Sequence, residues 1–197
     1  MNKDFWNNIF SQDKDYVKIS HSFLDELLKH INLQENSKIL DIGCGTGDLV
    51  IKLAKKGFQS TGLDISNIAL EKAKNKALEE KVESLTNFIE FDIDSFDLKT
   101  IPNSPFDLIT CKLVFAFIKD KPSFLKNIKN ILTKNGHFVL ITPVLYPNVE
   151  YSEHLKKISV DKQKTLDLLN QVFSKVEIFK ESPIKDNGTE IVFIASL

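Results

Sequence analysis

The residues of this chain best suited to chemistry are a set of aspartates and a run of alternating glycines. Asp41 ends an apolar run, and Gly43, Gly45 and Gly47 follow at every second position before Asp48. Alternating glycines permit backbone angles that a Cβ forbids, so the main chain can turn sharply and approach a ligand closely. A helical pattern opens at Asp48, and the N–H groups at a helix start favour a negative ligand group. The flanking acids, Asp41 and Asp48, would serve a cation instead. Asp64 comes 17 residues after Gly47, near the place where nucleotide-binding sheets put the acid that grips a ribose. A carboxylate there can accept from both ribose hydroxyls; its alternative role is to cap a turn. The chemistry indicated is the binding of a small molecule.

A dinucleotide fingerprint, G-x-G-x-x-G/A, is met by Gly43 and Gly45, but Asp48 stands at its third small position. A pyrophosphate would also be poorly served by two acids, so an NAD-dependent dehydrogenase is a weaker reading. The run Asp41-x-Gly43-x-Gly45-x-Gly47 resembles the first motif, D/E-x-G-x-G-x-G, of the class I S-adenosylmethionine-dependent methyltransferases. That resemblance implies S-adenosylmethionine as donor, S-adenosylhomocysteine as product and no metal. It places the methionine end of the donor at Asp41, Gly43, Cys44, Gly45 and Gly47, and the ribose at Asp64 beside Ile65. In the family an acid ending the third strand accepts from the adenine amino group, and the next residue offers its N–H to the ring. Asp92 and Ile93 hold those positions, with Asp94 as a rival. Phe106-Asp107, opening the fourth strand, is a further likeness, and Cys111 in that strand is counted with the donor-contacting positions. Its side chain reads as a small buried residue, and Cys44 as a spacer.

The elements that must position these groups alternate strand and helix, which implies a parallel sheet. Strands are expected at 38–41, 58–64, 87–91, 104–111 and 137–142, with helices at 48–56, from Ser66 onward, at 122–135 and at 161–172. Two further strands, 175–180 and 190–196, flank a segment whose Asn187-Gly188 suits a tight hairpin. The expected fold is α/β: a Rossmann-like, doubly wound, seven-stranded, mostly parallel sheet with one antiparallel strand and helices on both faces. One domain spans 1–197. Residues 1–36 form a helical lid or cap, 37–197 form the core to which the resemblance extends, and 143–160 form a turn-rich insertion.

Composition narrows the partners. The chain has 197 residues, with 26 basic against 27 acidic side chains, and every basic one is lysine. No bulk field draws it to nucleic acid or membrane, and the side chain best suited to bidentate guanine contacts is missing. The N-terminus lacks the apolar run of a signal peptide, no stretch approaches a membrane span, and two cysteines make no disulfide framework. The expected setting is cytoplasmic, with no nucleic-acid or membrane partner.

Methyl transfer from a sulfonium is an in-line displacement with a neutral leaving group, so orientation in a dry pocket can supply most of the acceleration. A base is needed only if the acceptor must lose a proton; Tyr16, His21 and His154 are the candidates. Trp6, Phe115, Phe117, Tyr146 and Tyr151 are candidate walls of the acceptor pocket, whereas Val114 and Ile118 read as core. The leading reading is a methyltransferase of a small molecule. The alternatives are a methyltransferase of tRNA or protein, and a non-catalytic S-adenosylmethionine-binding module.

Overall fold

The computed structural model describes residues 2–12, 18–94, 98–146, 148–184 and 188–197. Tyr16 and Asn187 lie outside the described residues. The helices are α1 (Lys3–Ser11), α2 (His21–Ile31), α3 (Asp48–Ala54), α4 (Asn67–Glu79), α5 (Lys121–Ile131), α6 (Glu153–Ile158) and α7 (Lys162–Val172). The strands are β1 (Lys38–Ile42), β2 (Gln59–Asp64), β3 (Thr86–Glu90), β4 (Phe106–Lys112), β5 (Leu132–Leu145), β6 (Val160–Asp161), β7 (Lys175–Pro183) and β8 (Thr189–Ser196).

Local chemistry starts these helices where it should. The Ser20, Ser66, Asp120 and Asp161 side chains each accept a backbone N–H in the first turn of α2, α4, α5 and α7. Pro122 adds a preset φ at the start of α5. Leu24, Leu27 and Ile31 form the buried stripe of α2, and Ala69, Ala73 and Ala77 let α4 lie close to its neighbours.

The sheet runs β3-β2-β1-β4-β5-β8-β7, parallel except for β8, which is antiparallel to both β5 and β7. One face, bearing Ile39, Leu108, Val139, Ile141, Val192 and Ile194, packs against α2 and α3. The other, bearing Leu40, Ile42, Ile109, Leu140 and Phe193, packs against α5 and α7. The chain leaves β1 for β2 on one side and later returns to place β4 on the other. The crevice at the carboxyl ends of β1 and β4 is therefore the switch point where ligands settle in such sheets.

Two boundaries differ from expectation. The helix expected over 122–135 stops at Ile131, and β5 begins at once with Leu132 paired to Phe106. Thr133 Oγ1 donates to Asp107 Oδ1 at 3.1 Å, and a Cβ on Gly136 would stand 3.0 Å from the Phe106 carbonyl oxygen. This tertiary pairing, with a bulge between Phe106 and Leu108, outweighs the local helical pattern. At its other end β5 runs through Pro143 instead of turning there. Its pairing with β4 ends at Ile141, so the N–H that proline lacks is not wanted on that side. The expected insertion holds α6 and the two-residue β6, which pairs with the end of β5 as an eighth strand.

Candidate functional site

The glycine turn sits at the switch point and is held by backbone hydrogen bonds. Gly43 and Cys44 both donate to the Leu63 carbonyl, at 2.8 and 2.9 Å, and Gly47 N donates to Cys44 O at 2.9 Å. Gly43 has φ +73°, and a Cβ there would meet Val114 Cγ2 at 2.1 Å. Gly47, at φ +77°, packs against Ala73 and Phe88, each 2.9 Å from a notional Cβ. The first glycine lets Val114 pack directly on its backbone, and the last seats α3 against α4.

Two buried carboxylates flank this turn. Asp64, ending β2, accepts Gly45 N with one oxygen and Ser66 N with the other, both at 2.9 Å. Burial raises its pKa, and these N–H donors pull the other way. Asp41, ending β1, accepts Thr110 Oγ1 at 2.6 Å. Burial pushes its pKa up to about 7, opposed by the Thr110 hydrogen bond and the Lys112 charge and reinforced by Asp64 and Asp48. A carboxyl poised to gain its charge beside an arriving cation is what such a setting produces. Asp48 is paired with Lys52 at 2.7 Å.

The cleft is walled by Asp41, Gly43, Cys44, Gly45, Asp64 and Ile65, and farther along by Ile93, Trp6 and Phe117. Helix α1 brings Trp6 and Phe10 to its wall. Phe10 stands over Gly45, its carbonyl accepting from Lys72 Nζ at 2.7 Å. Asn7 bridges Ser66 and Asn67, at 2.7 and 3.0 Å, and Lys3 pairs with Glu90. The Trp6 ring meets Phe117 edge-on with centroids 5.3 Å apart.

The remaining expected residues lie elsewhere. Gly47 is in the helix packing just described. Cys111 and Phe115 are fully buried in the core on the α5 side, where burial pushes the Cys111 thiol up. Asp92 turns one carboxylate oxygen to Asp94 N at 3.1 Å, and Asp94 accepts Lys119 N, so both brace the turn beside Ile93. Tyr151 Oη accepts Tyr146 N at 2.9 Å within the insertion, and Tyr146 Oη donates to Glu181 on β7 at 3.0 Å. His21 and His154 are exposed, on α2 and α6, and neither lines the cleft.

Sequence reasoning passed over Phe10, Lys18, Lys112, Leu113 and Val114, all of which line the cleft. Lys112 carried a signal: it is a cation interrupting an otherwise apolar segment. Val114 carried none, because it enters the cleft through the unusual φ of +60° at Leu113. Among the described residues no three His, Cys, Asp or Glu side chains gather as a metal site would, and no helix is long and apolar enough to cross a membrane.

Residues 33–192 match the family described as a methyltransferase domain. The chain belongs to that family. Among its relatives, the mitochondrial ubiquinone biosynthesis O-methyltransferase of Schizosaccharomyces pombe is 33% identical over 120 residues, covering 61% of this chain and 43% of that protein. Phosphoethanolamine N-methyltransferase 1 of Arabidopsis thaliana is 29% identical over 141 residues, covering 69% of this chain and 28% of that protein. The chain thus spans less than half the length of these curated relatives. The phosphoethanolamine N-methyltransferase 2 of Haemonchus contortus, solved with phosphomonomethylethanolamine and S-adenosylhomocysteine, superposes with a TM-score of 0.77. The match covers 93% of this chain and 54% of that one at 15% identity, a likeness of fold.

Proposed function

We propose that this methyltransferase-domain chain transfers a methyl group from S-adenosylmethionine to a small-molecule acceptor. The observation that carries the reading is the meeting of two buried carboxylates, Asp41 and Asp64, at a glycine turn that lines the cleft on the switch point of the sheet. The residues present fit such a donor. Asp41 faces a cation, the bare backbone at Gly43 and Gly45 admits the methionine end, and Asp64 faces a ribose. Ile65, Phe91 and Ile93 offer apolar surface to a flat base; Asp92, expected at its amino group, instead accepts Asp94 N in the turn beside Ile93. When bound, the donor supplies a methyl group made electrophilic by a sulfonium.

The chain's own residues would then hold and shield. Trp6, Leu113 and Phe117 would make the acceptor end of the cleft apolar and aromatic, which suits an amphipathic or aromatic acceptor. Helix α1, bringing Trp6 and Phe10 to the cleft wall, would keep water out and the reactants in line. The relatives' names, an O-methyltransferase of ubiquinone biosynthesis and a phosphoethanolamine N-methyltransferase, support a small acceptor over a macromolecule. The two cysteines, both buried thiols, fit a reducing, cytoplasmic setting.

The test is to incubate the protein with methyl-labelled S-adenosylmethionine and a cell extract split by ultrafiltration. Label in the small-molecule fraction supports the reading. Label confined to the RNA or protein fraction would replace it, and binding without any transfer would leave a donor-binding module.

A further inference from the structure

Register places a row of polar groups along one face of the sheet, just above its apolar layer. On this face Ile39 pairs with Leu108, Val139 with Ile194 and Ile141 with Val192, all in the core beneath α2 and α3. Nearer the carboxyl ends the same face carries Asp41 on β1, Thr110 and Lys112 on β4, Pro143 on β5 and Glu190 on β8. Proline contributes no charge, so the lysine stands between a carboxylate on either side of it. Lys112 and Asp41 line the cleft; Glu190 does not, and is partly buried on β8, two strands from β4.

The Lys112 ammonium is in the field of Glu190 first, then of Asp41 and Asp48. Burial disfavours the charged form of Lys112, and burial likewise disfavours that of Glu190, each opposing the attraction between them. A cation facing a site for a cationic donor works against binding unless something holds its charge aside. Glu190 is placed to do so.

We propose that Glu190 is a positioning residue that draws the Lys112 ammonium away from the donor end of the cleft and leaves Asp41 to the incoming cation. Together the two side chains set how strongly the site prefers S-adenosylmethionine, with its sulfonium, over S-adenosylhomocysteine, whose sulfur is neutral. The inference rests on the donor reading given above and deepens it. Removing the Glu190 charge penalises the sulfonium form selectively; removing the Lys112 charge favours it.

The experiment is a double-mutant cycle read by calorimetric affinity for both molecules, using wild type, Glu190→Gln, Lys112→Met and the double variant. Glu190→Gln is expected to lower the ratio of donor to product affinity by about fivefold, the scale of one charge at several ångströms in a partly screened site. Lys112→Met is expected to raise that ratio, and Glu190→Gln should then have no further effect on it. A ratio that moves by less than about twofold in both single variants, or that falls equally with and without Lys112, overturns the proposal. Should Glu190→Gln fail to fold, Lys112→Met alone decides: an unchanged or lowered ratio refutes it. A wild-type protein that binds neither molecule removes the donor reading itself, a result distinct from binding with an unchanged ratio.

Discussion

Asp41 makes the electrostatics of the proposed donor site measurable. Its carboxyl is 4% exposed, and burial lifts its pKa from 3.8 to about 7. Between those values the folded chain binds more protons than the unfolded chain, so stability falls as pH rises through this window. The difference of about three pKa steps corresponds to about 4 kcal/mol, fully felt above pH ~7 and absent below pH ~4. Asp41→Asn removes this penalty while its amide oxygen still accepts from Thr110. The variant should therefore melt above wild type at pH 8, and the gap should close on acidification to pH 4. A bound cation would lower the Asp41 pKa, so donor binding should expel a proton. At pH 6.5 a group with a pKa of about 7 is about three-quarters protonated, so about 0.7 proton should leave per donor bound. Calorimetry in buffers of different ionisation enthalpy reads this number directly. A melting gap that does not change with pH would refute the buried-acid argument. Donor binding without proton release in wild type would refute the placement of a cation at Asp41.

Gly43→Ala should destabilise the fold by about 2–3 kcal/mol in denaturant titration, because φ is +73° and the new methyl meets Val114. Adding Val114→Ala should recover only the steric part. Asp64→Ala leaves Gly45 N and Ser66 N without their carboxylate and should weaken donor affinity at least about tenfold by calorimetry. Deleting residues 1–12 should cut turnover sharply and shift the melting temperature by only a few degrees, about what loss of one buried side chain, Phe10, implies. A collapse of melting temperature would make α1 part of the core instead.

The legible parts of this molecule are those whose cause is local. The glycine turn, the Ser66 cap and the apolar runs of β1, β2 and β4 each announce themselves within a few residues, and the parallel order follows from their alternation with helices. The acids at 41 and 64 could be placed because strand ends at a switch point face the crevice. What stayed hidden depends on distant partners. Phe115 and Val114 exchange the roles their sizes suggest, since the left-handed backbone at Leu113 turns Val114 onto Gly43 and sends Phe115 into the core. No pattern in a single sequence marks a leucine for that conformation. The early end of α5 likewise depends on Phe106, which is remote in sequence but paired with Leu132 in space.

The two ends of the cleft are built with different strengths, and this bears on the order of events. The donor end is made of buried backbone hydrogen bonds and carboxylates inside the sheet, where opening would expose unpaired polar groups at about 1–3 kcal/mol each. The roof is made of surface contacts and one buried side chain, Phe10, whose burial contributes about 1.5–3 kcal/mol. The Lys3–Glu90 pair is close to half exposed on both sides, and such pairs contribute about 0–1 kcal/mol. The Asn7 bridges add modest net amounts, and the Trp6–Phe117 edge contact adds about 0.5–1.5 kcal/mol. Detaching α1 therefore costs a few kcal/mol, while dismantling the glycine turn costs much of the fold. On the proposed reading the donor end would be formed before any ligand arrives, and exchange of donor, product and acceptor would proceed by lifting α1. Acceptor selectivity would then rest on Trp6 and Phe117, because these side chains both line the cleft and hold α1 against it.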